Sequence, residues 1–204
     1  MVWFKHKRLI ENIPTSKIRS LAMGLVEIYG QVFPVGDKLL ISPHTQKSCV
    51  YYRYLVERYE THYDSRTKRT EGRWVTVKNI SERISFYVKD ETGTVLVDPK
   101  GAHIEISTDF QTRMGNMRYH EWVIEPNDSL YIMGSAGENP LAEKGAITSI
   151  ENILIQKGKY EKFYFISDKS EKDILKMLNI KVYVCLALGV VFIVIGLIVL
   201  LGLV

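Results

Sequence analysis

Apolar and polar positions alternate through most of this chain, and then the alternation stops. From Val182 to Val204 the run VYVCLALGVVFIVIGLIVLLGLV carries no charged or amide side chain. At the rise of an α-helix it is roughly 34 Å long, enough to cross the hydrocarbon core of a bilayer with some tilt. Only a helix satisfies its own backbone hydrogen bonds in lipid, so the run predicts a transmembrane helix. The competing reading, a buried core helix of a soluble protein, lacks support because no amphipathic face survives in the segment.

Upstream, the pattern is one of short strands. Asn12 to Ser20 reads as a helical turn; Leu25 to Val32 then alternates, breaks at Pro34 and Gly36, and resumes over Lys38 to Ile41. Cys49 to Tyr59 places Val50, Tyr52, Tyr54 and Val56 on one face and Arg53, Glu57 and Tyr59 on the other. Polar Thr61 to Gly72 follows, and Trp74 to Lys78 alternates again, so 49–78 predicts a long hairpin with a basic tip. Phe86 and Val88 run into Asp90-Glu91-Thr92-Gly93, and Val95 and Val97 run out. That is a hairpin signal, with Gly93 expected at positive φ. Val88, Val95 and Val97 are expected to pack with the Val50 face. Ala102 to Ile106 reads as a strand and Phe110 to Arg118 as irregular. Glu121 to Ile124, Leu130 to Met133, Ile150 to Ile155 and Phe163 to Ile166 read as further short strands. Ser170-Glu171-Lys172-Asp173 is a capping-box start, with Ile174, Leu175 and Leu178 as a helical stripe behind it.

These elements predict a mainly β fold: an antiparallel barrel or sandwich, an OB-like barrel among its forms, followed by the C-terminal transmembrane helix. The expected division is a β domain over 1–170, a juxtamembrane helix over 171–181 and the span over 182–204.

Charge orients the arrangement. Lys169, Lys172, Lys176 and Lys181 precede the span and no charge follows it, which favours a cytoplasmic domain. The opening MVWFKHKRLIE has no apolar core of a signal peptide, so a tail-anchored, single-pass protein is expected. The net charge of +4 across 204 residues is too mild for a dedicated nucleic-acid binder, so lipid, through Val182 to Val204, and a protein are the expected partners. With Cys49 and Cys185 alone there is no disulfide framework.

Candidate chemistry is sparse. The five histidines, His6, His44, His62, His103 and His120, make no metal-binding spacing with each other or with the cysteines. Gly134-Ser135-Ala136-Gly137 lacks the nucleophile-elbow pattern and reads as a turn. Cys49 opens a strand and reads as a small core residue. No glycine-rich phosphate loop appears, and neither a cofactor nor a catalytic residue is expected. One feature suggests a surface role: Arg66, Lys68, Arg69 and Arg73 crowd the hairpin tip, where they could meet anionic lipid headgroups.

Four blocks of the chain resemble one known domain. Pro14-Thr15-Ser16-Lys17-Ile18-Arg19-Ser20-Leu21-Ala22-Met23-Gly24-Leu25-Val26-Glu27 opens it; Ser42 to Glu57, Phe86 to Ile106 and Glu125 to Ala136 follow in order. Together they resemble the GIDE, or beside-a-membrane (BAM), domain of MULAN-type mitochondrial ubiquitin ligases and their prokaryotic relatives. The resemblance implies a β-rich domain next to one or two membrane helices. In those ligases a RING carries the transferase activity, and these 204 residues hold no RING ligand set. The leading expectation is therefore a membrane-anchored, non-enzymatic binding or scaffold module. An accessory of a ubiquitin-like conjugation system is the second, and a hydrolase built on His103 or His120 with Asp98 the third.

Overall fold

The computed structural model describes residues 13–66, 68–139, 152–159 and 162–202. The early residues of the expected turn at Asn12 and of the expected strand at Ile150 lie outside them. Thr15–Asp168 forms one compact unit, and the helix that follows belongs to a second.

Five strands close the barrel. They are β1 (Gly24–Pro34), β6 (Phe86–Lys89), β7 (Thr94–Val97), β11 (Ser129–Glu138) and β12 (Ile153–Gln156). The closed circuit runs β1-β6-β7-β12-β11 and back to β1. All pairings in it are antiparallel except β7 with β12, where Leu96 and Val97 lie parallel to Leu154 and Ile155. Numbered one to five, the barrel strands are thus ordered 1-2-3-5-4-1, the Greek-key arrangement of an OB barrel. Outward from β11 the sheet continues through β13 (Phe165–Ser167) to β8 (His103–Glu105), the latter pair again parallel.

Strict alternation fills the interior. Val26, Ile28 and Val32 of β1, Phe86 and Val88 of β6, Val95 and Val97 of β7, and Leu130 and Ile132 of β11 are all buried in one cluster. Each such side chain contributes about 1.5–3 kcal/mol through burial. Tyr164 enters the same cluster, and its hydroxyl donates to the Asp98 carbonyl at 2.7 Å. Gly134 makes room for it, since a Cβ there would lie 2.8 Å from the Tyr164 ring. Gly134-Ser135-Ala136-Gly137 is accordingly the interior of β11 and not the turn expected from its composition.

Two excursions leave the barrel and meet each other. Between β1 and β6 the chain makes β2 (Leu40–Ile41), β3 (Ser48–Cys49), β4 (Tyr51–Asp64) and β5 (Arg69–Arg83); between β7 and β11 it makes β8, β9 (Phe110–Met114) and β10 (Met117–Ile124). A four-stranded sheet results, ordered β5-β4-β10-β9. The long hairpin appears as expected, with a register shift between Val56 and Glu57.

The segment 110–118, expected to be irregular, is instead a second hairpin around Gly115-Asn116. Gly115 has a φ of 60° and Asn116 does not share it, which is the type II′ form that places glycine first. At the 90–93 turn Gly93 does not take positive φ. The Asp90 carboxylate shapes that loop instead, accepting from the Thr92 amide and hydroxyl and the Gly93 amide at 2.6, 2.7 and 2.9 Å. Its other oxygen accepts from the Ile18 amide at 2.9 Å, which fixes the short 3-10 turn Ile18–Ser20.

The face expected at 50–56 divides between two clusters. Val50 joins the barrel core together with Tyr51, whereas Tyr52 packs with Cys49 and Val123 in a smaller one.

In the second unit, α1 (Glu171–Leu200) is a single continuous helix. Ser170 caps it: its hydroxyl accepts from the Asp173 amide at 3.3 Å and donates to the Asp173 carboxylate at 2.6 Å, in line with the capping sequence. The stretch Glu171–Leu197 has a mean hydropathy of 2.6 in its most apolar window and exposes Tyr183, Phe192, Ile193 and Leu197. A helix of this length that is apolar on all sides fits a single membrane span.

Candidate functional site

The four basic residues of the hairpin tip sit where the β4–β5 ribbon reaches its far end. Arg66 and Lys68 lie in the turn, while Arg69 and Arg73 begin β5 opposite Asp64 and Glu60. All four are exposed.

The residues of the hydrolase reading do not assemble. Asp98 ends just past β7 and accepts the Lys100 amide. His103 is exposed and stacks on Phe165, and His120 lies on β10 beside Trp122. Neither histidine bonds Asp98, so this arrangement does not favour the hydrolase. Cys49 is fully buried, its thiol donating to the Leu40 carbonyl, and burial together with Glu121 and Glu125 pushes it up to about 12. A thiol held protonated in this way is a core residue.

Two polar constellations are present that the sequence pattern did not single out. The first is centred on Glu121, which is fully buried on β10. Its carboxylate accepts from the His44 and Thr45 amides at 2.8 and 3.0 Å, the Thr45 hydroxyl at 2.5 Å and the Ser42 hydroxyl at 3.2 Å. Burial alone would push this carboxyl up; the bonds from Thr45, His44 and Ser42 outweigh it and hold it below the ordinary glutamate range. The clamp fixes the β2–β3 loop against the sheet and seats the His44 ring among Tyr54, Phe110 and Tyr119. Lys47 closes the loop with ion pairs to Asp109 and Glu125.

The second lies on the opposite face of the same sheet. There the pairing register sets Glu57 opposite Arg118, Arg118 opposite Arg113, Tyr59 opposite Trp74, and Arg53 opposite Trp122. The Arg118 guanidinium lies 4.4 Å and the Arg113 guanidinium 5.2 Å from the Trp74 ring centre. Farther along, Arg53 lies 5.0 Å from that of Trp122. These separations are in the cation–π range. Arg118 also donates to Glu57 at 2.6 Å, which pulls the Glu57 carboxyl down. The His120 Nε2 is buried without a hydrogen bond, 3.7 Å from the same carboxylate. Beside Arg53 and Trp122 is a hollow of about 330 Å³ lined also by Tyr51, His103, Ile104, Glu105 and Ile106.

This face offers fixed, outward-turned guanidinium groups and a half-open hollow of mixed lining, in which Glu105 is the one acidic residue; the guanidinium groups are suited to holding an anionic partner. Arg113 and Arg118 were hidden because their hairpin reads as irregular, and their indole comes from a strand remote in sequence. The available signal was the density of Trp, Tyr and Arg in the two segments.

Comparison with protein families finds that the model for GIDE, described as E3 ubiquitin ligase, matches residues 56–112 and 106–202. The chain belongs to the GIDE family. No curated protein and no solved structure matches it.

Proposed function

We propose that this member of the GIDE family is a membrane-anchored binding module that recruits another protein and makes no bonds of its own. The observation that carries the reading is the outer face of the four-stranded sheet, where arginines rest on Trp74 and Trp122 over a half-exposed surface. Such a face supplies contact area and charge to a partner. The β unit (1–170 in the expected division), the juxtamembrane stretch 171–181 and the span 182–204 then act as reader, connector and anchor. The lysines before the span favour an arrangement with the reader in the cytoplasm. Crosslinking tests the function: a photoreactive residue in place of Thr76, exposed on that face, should give a discrete protein adduct in native membranes. Absence of any adduct overturns the reading. Protease added outside intact cells should leave the β unit whole, and its digestion would reverse the orientation.

A second reading is favoured by the family description, E3 ubiquitin ligase. On it, the chain is an accessory that holds a component of a ubiquitin-like conjugation system at the membrane. A ubiquitin-like or RING protein identified in the Thr76 adduct would support it over a general scaffold.

A further inference from the structure

We infer that the outer face of the four-stranded sheet binds an extended, acidic protein segment whose carboxylates are four residues apart; this rests on the binding-module reading and specifies its ligand.

Arg113 and Arg118 stand directly opposite each other on β9 and β10 and share the Trp74 ring. Like charges directly across a strand pair repel. One carboxylate, Glu57, answers Arg118, while the Nε of Arg113 donates only to the Gly115 carbonyl. The side chain of Arg113 is exposed. The pair therefore carries a surplus positive charge, fixed in place by an indole, and an incoming carboxylate or phosphate relieves it. Arg53 repeats the arrangement on Trp122: its Nε bonds Asn79 and its guanidinium is exposed.

Chain geometry selects the ligand class. Both indoles already carry guanidinium groups, Trp74 two of them, which leaves less ring surface for stacking nucleobases. The guanidinium edges remain available, and these suit carboxylates in bidentate geometry. An extended peptide lying over this face along β10 passes both sites, since β10 runs between β9, which carries Arg113, and β4, which carries Arg53. On β10, Arg118 and Trp122 are four residues apart on one face, about 13 Å in an extended strand. An antiparallel or parallel peptide matches that distance with acidic side chains at positions i and i+4. An apolar residue near the second carboxylate would enter the hollow over Ile104 and Ile106.

The test uses the full chain in neutral phosphatidylcholine nanodiscs and fluorescence anisotropy. The probe is a fluorescein-labelled nonapeptide of threonine and valine with glutamates at its third and seventh positions. It should bind, and a peptide with glutamates at the third and sixth should bind about tenfold more weakly, because those side chains fall on opposite faces. Arg113→Glu and Arg53→Glu should each weaken binding about tenfold or more. Arg113→Gln should weaken it with an unchanged melting curve, which separates lost contact from lost fold. Arg73→Ser, at the ribbon tip, should leave binding as it was. No binding, equal binding of the two peptides, or an Arg113→Gln protein with full affinity would overturn the inference. Tighter binding of oligothymidylate than of the peptide would overturn it in favour of nucleic acid. Any of these results alongside a discrete adduct at Thr76 would remove the acidic ligand and leave the binding-module reading standing.

Discussion

In the barrel the inward positions of β1, β6, β7 and β11 are apolar and sealed; Ile28, Val32, Phe86, Val88, Val97, Leu130 and Ile132 are all fully buried. In the four-stranded sheet the inward face carries Tyr52 and Val123 but also the carboxylate of Glu121, and the outward face carries arginines on tryptophans. Both regions use the same two-residue alternation. The first converts it into buried area, which is non-directional and tolerant of sequence detail. The second converts it into directional contacts among charged groups, which hold loops and present a surface but stabilise less per residue. The barrel is accordingly the part that keeps the unit folded, and the sheet the part whose surface can change without endangering the fold.

The largest effect should come from the barrel interior. Ile132→Ala removes a fully buried side chain from the closed wall and should destabilise the protein by about 2–5 kcal/mol. Denaturant unfolding of the full chain in detergent measures it. Val123→Ala, in the smaller cluster, should cost less. If the two costs are equal, the division of labour between barrel and sheet is wrong.

The Glu121 clamp comes next and differs in kind. Its bonds are to a charged acceptor, each worth about 1.5–3 kcal/mol, so Glu121→Gln should destabilise by an amount in that range. The clamp also predicts a pH signature. The folded state holds this carboxyl below its ordinary value, so the unfolded chain binds the proton more readily. The contribution is complete above the ordinary glutamate value of about 4.3 and is lost as pH falls through the lower folded value. Wild type should therefore lose more stability than Glu121→Gln between about pH 5 and pH 3. Parallel pH curves for the two proteins would show that the carboxylate is not clamped as described.

The strand walls were legible because alternation is a local property. Leu25 to Val32 and the Phe86–Val97 hairpin show it plainly, and their buried apolar positions fall where the pattern puts them; Glu27, which the pattern turns outward, is buried as well, its carboxylate accepting from the Thr15 and Tyr131 hydroxyls. The membrane-spanning stretch was legible for the same reason, as composition within one window. What joins distant segments was not. Barrel closure rests on the parallel pairing of β7 with β12, and the clamp joins His44 to Glu121 across 77 positions. Glu121 in particular reads as the polar start of an apolar strand until its partners are known. The open face was missed through a turn: Gly115-Asn116 turns a segment that looks broken into a hairpin, and that places Arg113 beside Arg118.

On the outward face the effects on stability should be small and uneven. Arg53 is exposed and its ring contact is worth under about 1 kcal/mol, so Arg53→Ala should barely move the unfolding midpoint. Glu57→Ala should cost more, because it strands Arg118 and leaves His120 facing no carboxylate. Strand parity alone would have made these two equal, although Arg53 is exposed and Glu57 is half-buried. Equal costs would mean that the Glu57–Arg118 pair contributes nothing to the sheet.

The smallest stability effect belongs to the ribbon tip, where a change should be visible only when lipid is present. Between Asp64 and Arg73 the cations Arg66, Lys68, Arg69 and Arg73 outnumber the acids Asp64 and Glu71 by two. Each net charge near an anionic surface is worth about 1 kcal/mol, so the tip's attraction is about 2 kcal/mol if it meets headgroups. Arg69→Ser with Arg73→Ser cancels that surplus without touching a buried side chain, and should shift stability by less than about 0.5 kcal/mol. Hydrogen exchange of the full chain in nanodiscs provides the reading. In wild type the amides of the ribbon should exchange more slowly in anionic than in neutral discs, and added salt should remove the difference. In the double variant the two lipids should give the same rates. Equal rates already in wild type would show that the tip does not meet the membrane, and would leave the Arg53, Arg113 and Arg118 face as the charged surface to which the proposed binding role is confined.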